Sequence, residues 1–185
     1  TTASADVAMK GLKYLLEAVA KLRTERNVEL VIIGQPTEGS ASADLFAELG
    51  LTNCVSWVHG VSDERIVELY SEAEVAVVPS LYEGFSLPAI EAMSCGVPLV
   101  TTTGGALPEV AGSHGETCFQ VPPGDGEALA AMLGTVLDQP DVRDRVGANG
   151  RQRVIDQWSW HHTAERTVDQ YRALLDRQTP RTGSC

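Results

Sequence analysis

The chain has 185 residues, a formal net charge of -11, 43% hydrophobic residues and only 5% aromatics. That length suits one domain able to bury a core without disulfide or metal staples, and short aliphatic runs with few aromatics point to an α/β protein. The acidity argues against a broad basic face for long nucleic acid, so none is expected as a partner. A small anionic ligand stays possible, because a few backbone N–H groups and one cation can hold a phosphate.

The opening residues Thr1 to Ser4 read as the tail of a strand cut short, and a chain that starts without Met is expected to be a piece of a larger protein. Lys10 to Arg26 is predicted as a helix, since Leu12, Leu15, Leu16, Val19 and Leu22 recur at helical spacing. Val28 to Gly34, VELVIIG, is a β-branched run and reads as a buried strand. A Gly/Ser/Pro-rich loop leads to a short helix over Asp44 to Leu49, which Gly50 can end in the left-handed conformation.

Cys54 to Val58 is the next expected strand, and Ser62-Asp63-Glu64 supplies a cap and first-turn acids for a helix carrying Ile66, Leu69 and Tyr70. Strands follow at Val75 to Val78 and Val97 to Thr101, with a helix from Ser86 to Ser94 between them, and a weaker strand at Glu116 to Val121. The remainder reads as helical: Asp125 caps a segment bearing Leu129, Met132, Leu133, Val136 and Leu137, and Ser159 caps one bearing Ala164, Val168, Tyr171 and Leu175. Strands that alternate with helices predict a parallel sheet with right-handed crossovers, whose ligands bind beyond the carboxyl ends of the strands. The loops after Gly34, Val58, Val78 and Thr101 should gather there.

One of those loops carries the sequence SLYEGFSLPAIEAM, Ser80 to Met93. Gly84 permits a tight turn or a close ligand approach, Ser86 is placed to cap the helix, and Pro88 sits where its missing N–H costs nothing. A helix start of this kind aims free N–H groups and a positive dipole end at the loop. Glu91 lies one turn in, and its side chain leans back toward the helix start, so Glu83 and Glu91 can clamp a polyhydroxylated ligand. A surface role for both acids explains the pattern nearly as well.

The spacing of Glu83 and Glu91, with Gly84-Phe85 after the first acid and Pro88-Ala89-Ile90 before the second, resembles the signature of the retaining family-4 glycosyltransferases of the GT-B fold. Met93-Ser94-Cys95-Gly96-Val97-Pro98, Gly104-Gly105-Ala106-Leu107-Pro108-Glu109, Val121-Pro122-Pro123-Gly124-Asp125 and Trp158-Ser159-Trp160 fit the same family in the same order. The resemblance implies a Rossmann-like three-layer domain over residues 1–185, the C-terminal half of a two-domain enzyme. It implies a nucleoside-diphosphate sugar as donor, no further cofactor, and an acceptor domain upstream. Residues 159–177 would form a helix that crosses back to that missing domain.

By the same resemblance Glu83 contacts the donor sugar and the amides of Gly84, Phe85, Ser86 and Leu87 touch sugar or phosphate. Glu91 accepts the ribose hydroxyls. Lys10 neutralises the diphosphate, which agrees with the need for a cation where a leaving group develops charge. Gly34, Gly60 and Val61 fall near the phosphate or base. The sequence departs from the family in one place, since Ala5 stands where an arginine is usual, five residues before Lys10.

Other chemistries find less support. A dinucleotide-dependent oxidoreductase requires GxGxxG between the first strand and helix, and Gly11 alone does not meet that. A non-catalytic nucleotide or sugar binding module remains the alternative, for which Ala5 is the best argument. Cys54, Cys95, Cys118 and Cys185 contain no CxxC pair, and the four histidines lack metal-ligand spacing, so no metal site is expected. Reduced thiols suggest a cytoplasmic location. No apolar run approaches the roughly 20 residues of a membrane span, so no transmembrane segment is expected in this chain, and peripheral membrane association of the parent enzyme is compatible with that.

Overall fold

The computed structural model describes residues 1, 7–35 and 41–178. After a 3-10 turn at Ala8–Lys10 the elements run α1 (Leu12–Leu22), β1 (Leu30–Ile33), α2 (Ala41–Glu48), β2 (Val55–Val58), α3 (Asp63–Glu72), β3 (Ala76–Val78), α4 (Leu87–Ser94) and β4 (Leu99–Thr102). Then come α5 (Leu107–Ala111), β5 (Phe119–Val121), α6 (Gly126–Leu137), α7 (Pro140–Gln157) and α8 (Trp160–Gln178). All pairings among these strands are parallel, with Leu30 opposite Val55, Ala76 opposite Leu99 and Val100 opposite Phe119. The α/β class and the parallel ladders match the expectation from the sequence.

Among the described residues the strands pair in the orders β1-β2 and β3-β4-β5. Val31 and Ile33 of β1 lie toward Val75 and Val77 at β3, with Leu15 and Val19 of α1 beside them. Thr1 sits against β1: its α-amino group donates to the Val31 carbonyl at 3.0 Å, and its carbonyl accepts from Ile33 N–H at 2.8 Å. These are strand-type bonds, in line with the reading of Thr1 as a strand end, while residues 2–4 lie outside the described residues.

The three layers follow from side-chain alternation along the strands. Val77, Val100, Phe119 and Val121 point to a core shared with Leu15, Leu16 and Val19 of α1 and with Leu129 and Leu133 of α6. Ala76, Val78 and Leu99 point the other way, to Ala89, Ala92 and Met93 of α4, Leu107 and Val110 of α5 and Val154 of α7. β3 and β4 are therefore buried on both faces, which explains why β3 is apolar throughout and why every position of β4 is buried.

Several boundaries differ from those expected from the sequence. The first helix begins at Leu12 and not at Lys10, because Gly11 adopts φ +67° and ends the 3-10 turn. The last strand starts at Phe119, and its Gln120 N–H donates to His114 Nδ1 of the preceding loop at 3.0 Å. α7 has weak apolar periodicity and contains Gly147 and Gly150, which ordinarily disfavour helix. Packing requires both: a β-carbon on Gly147 would overlap the Gly96 carbonyl, and one on Gly150 would come within 2.9 Å of the Thr117 carbonyl. Among the described residues no helix is long and apolar enough to cross a membrane.

Candidate functional site

Among the described residues four polar side chains are buried, and they share one place: Ser80, Ser86, Thr101 and Thr102. All lie just beyond β3, at the end of β4 or at the start of α4, where ligands bind in open parallel sheets. Buried hydroxyls need partners. Thr101 Oγ1 donates to the Val78 carbonyl at 3.1 Å, and Thr102 Oγ1 donates to the Ser80 carbonyl while accepting from Gly104 N–H at 3.2 Å.

This frame presents Glu83. Its Oε1 accepts from Ser80 Oγ at 2.7 Å and from Lys10 Nζ at 2.8 Å. Its backbone is held as well, since Glu83 forms a parallel bridge with Gly105 and its carbonyl accepts from Ala106 N–H at 2.8 Å. Lys10 reaches the site because the 3-10 turn is tied to the loop by Leu81 N–H bonding the Met9 carbonyl at 2.8 Å. Gly11 then passes so close to β3 that a β-carbon would overlap the Pro79 carbonyl oxygen. The two residues expected to act together are thus joined, although 73 positions separate them.

The ion pair is only partly shielded, with side-chain exposures of 34% for Lys10 and 11% for Glu83. A pair so placed contributes little net stability, because desolvation offsets much of the attraction. Its value is as a charge arrangement. The ammonium is open on one side to an anion, and the second oxygen of Glu83 remains an acceptor.

The start of α4 corrects the sequence reading. Ser86 occupies the N-cap position but makes no side-chain cap bond, since it adopts φ +110° and ψ +84° and its buried Oγ has no partner. A left-handed conformation swings the hydroxyl away from the first-turn amides, and holding a serine there costs about 1–3 kcal/mol. Those N–H groups are left without a capping side chain, and Pro88 removes one of them. Gly84 has no positive φ and nothing near a notional β-carbon, so the chain's own turn does not require glycine there. The tight approach belongs instead to Gly104 and Gly105, whose β-carbons would overlap the Leu81 and Glu83 carbonyl oxygens.

Phe85 and Leu87 are exposed at the same mouth. Phe85 packs edge-on against Trp158, ring centroids 5.3 Å apart, and Trp158 Nε1–H donates to the Val110 carbonyl at 3.2 Å. The Trp158-Ser159-Trp160 stretch is thereby connected to the loop it accompanies in sequence pattern. Glu91 is exposed as a residue, yet burial of its carboxyl, and then the charge of Asp63, raise its pKa above the ordinary glutamate value. Its neighbour is therefore the first residue of α3, whose cap is formed by Ser62 as expected.

Gly34 and Gly60 follow β1 and β2, Gly60 at φ +64° in open space, and Val61 is half-buried. Ala5 lies outside the described residues. Sequence reasoning passed over Ser80 and Thr102, which hold Glu83 in place. The available signal was a hydroxyl residue at or just past the end of a strand with no exposed position, a place where it must find an internal partner.

Comparison with known proteins bears on this geometry. Residues 2–153 match the family described as glycosyl transferases group 1. The chain is 47% identical over 175 residues to the MMP alpha-(1->4)-mannosyltransferase of Mycolicibacterium hassiacum, a match covering 95% of this chain and 43% of that protein. The solved sucrose-phosphate synthase of Thermosynechococcus elongatus superimposes with a TM-score of 0.83 at 31% identity, over 96% of this chain and 45% of that one. Anabaena HepE in complex with UDP superimposes with a TM-score of 0.82 over 93% of this chain and 48% of that one, and at 21% identity it attests the shared fold. The chain spans less than half the length of these proteins.

Proposed function

Because the chain belongs to the group 1 glycosyl transferases, we propose that it is the donor-binding domain of an enzyme that moves a sugar from a nucleoside-diphosphate sugar to an acceptor hydroxyl. The observation that carries this reading is the Lys10–Glu83 pair beside the uncapped start of α4. A cation, a fixed carboxylate and free amides are the groups a sugar diphosphate needs.

Each residue then has a role. Glu83 accepts hydroxyl protons of the donor sugar and holds its ring. Lys10 turns to the diphosphate and stabilises the charge that develops as the bond from the anomeric carbon to the phosphate oxygen breaks. The amides of Gly84, Phe85, Ser86 and Leu87 meet sugar or phosphate, Glu91 accepts from the ribose hydroxyls, and Gly34, Gly60 and Val61 border the phosphate or base. The acceptor hydroxyl attacks from the face the diphosphate leaves, so the configuration is retained.

The acceptor domain lies upstream of residue 1 in the parent enzyme, which acts in the cytoplasm. Residues 159–177 cross to it, which gives a use to the exposed Trp160, Val168, Tyr171 and Leu174 of α8. This chain alone binds donor and does not transfer sugar. The mannosyltransferase among its relatives makes mannosyl donors the first to examine. Titration calorimetry with UDP-, GDP- and ADP-sugars tests the reading: one donor should bind, and Glu91→Ala should weaken it about tenfold or more, the worth of a charged hydrogen-bond pair. Silence across the panel, or equal binding by Glu91→Ala, would overturn it.

A further inference from the structure

We infer that Ser80 is a positioning residue for the sugar, acting through Glu83; the inference rests on the donor reading above. The chain leaves β3 through Pro79, and Ser80 is buried at 1% exposure. Its hydroxyl has one proton to give, and gives it to Glu83 Oε1 at 2.7 Å. The same oxygen takes Lys10 Nζ at 2.8 Å. Two donors on one carboxylate oxygen fix the plane of the group and leave Oε2 with both lone pairs for a ligand.

Ser80 is itself held from outside the loop. Thr102 Oγ1 donates to its carbonyl, and Gly104 N–H donates to that hydroxyl at 3.2 Å. Thr102 is 2% exposed, so this second tier is shut off from water. The chain from Gly104 through Thr102 and Ser80 to Glu83 links the end of β4 to the carboxylate, while Ala106 N–H and Gly105 hold the Glu83 backbone. Glu83 is anchored at its main chain and at one carboxylate oxygen before any ligand arrives. A carboxylate oriented in advance avoids the ordering cost that a free glutamate incurs on binding.

A serine that only closes the loop affects folding and weakens every ligand alike. A serine that orients Glu83 affects the sugar and spares the nucleotide. The test therefore compares the affinity of the best-bound nucleotide sugar with that of its parent nucleoside diphosphate, by calorimetry, in the unaltered chain, Ser80→Ala, Glu83→Gln and the double variant. The affinity ratio should shift five- to tenfold against the sugar in Ser80→Ala, diphosphate affinity should change less than twofold, and Ser80→Ala should add nothing in the Glu83→Gln background. Ser80→Cys, which keeps the shape but offers a weak donor, should shift the ratio in the same direction and serves if Ser80→Ala does not fold. Equal weakening of both ligands, or additive effects in the double variant, overturns the role of Ser80 alone. Silence of the unaltered chain toward every nucleotide sugar overturns the donor reading and this inference with it.

Discussion

The two halves of the strand-end surface are built differently. On the β3–β4 side Lys10, Ser80, Glu83, Thr102, Gly104 and Gly105 interlock through hydrogen bonds and backbone contacts that leave no space for a β-carbon. On the β1–β2 side Gly60 stands in open space and Gly34 is tied by its N–H to the Val58 carbonyl. A ligand would meet a preset array of charges on one side and a more adaptable backbone on the other. The lesson is that glycines alike in sequence serve unlike ends, close packing in one half and a turn in the other.

The largest expected effect is at Gly11. Gly11→Ala combines left-handed strain of about 1–2 kcal/mol with overpacking of about 1–3 kcal/mol against the Pro79 carbonyl. Equilibrium unfolding should record a loss of roughly 3 kcal/mol or more, with donor affinity falling too, because Lys10 shifts with the turn. Gly105→Ala should approach that loss, as its β-carbon would overlap the Glu83 carbonyl and lie 2.9 Å from Glu83 N. Gly60→Ala, at a similar φ but with nothing nearby, should cost only the strain, about 1–2 kcal/mol. A large loss at Gly60 would erase the contrast between the halves.

Next in size is a pH effect on the β1 side. Burial lowers the α-amino pKa of Thr1 from 8.0 to about 6. Between those values the unfolded chain holds a proton that the folded chain lacks, so stability rises with pH from 6 to 8. The gain is on the order of 2 kcal/mol at roughly 1.36 kcal/mol per pKa unit. Denaturant midpoints at pH 5.5 and 8.5, on a chain beginning at Thr1, should differ accordingly, and acetylation of the amine should remove the difference.

The smallest effect concerns Glu91, raised first by burial and then by Asp63. Ribose hydroxyls donate to the ionised form, so donor affinity should fall as pH drops through that raised pKa. Asp63→Asn removes the repelling charge, and a calorimetric pH series should show the loss beginning at lower pH. An unmoved acid limb would mean that Asp63 has no bearing on the site.

Much of the fold was legible in the sequence because its causes are local. The β-branched VELVIIG run, the leucines of α1 and the caps Ser62 and Asp125 each act within a few residues, and both caps accept the expected bond, Arg65 N–H to Ser62 Oγ and Ala128 N–H to Asp125 Oδ1. Misreadings fell where a distant partner overrode local preference. Ser86 has the chemistry of a cap but was turned to positive φ, whereas α7 is helical as expected and its two glycines let Gly96 and the Thr117 loop come close.

For the candidate site the division is similar. The sequence by itself determined which groups are available: Glu83 and Glu91 flanking a helix start, Lys10 before a glycine, and small residues after each strand. Only the tertiary structure decided which groups meet. It joined Lys10 to Glu83, gave Glu91 the neighbour Asp63 and made Ser80 the link to Thr102. The physical reason is range, since periodicity and capping act over one or two turns, whereas a hydrogen bond between residues 73 apart depends on where a parallel sheet ends its strands.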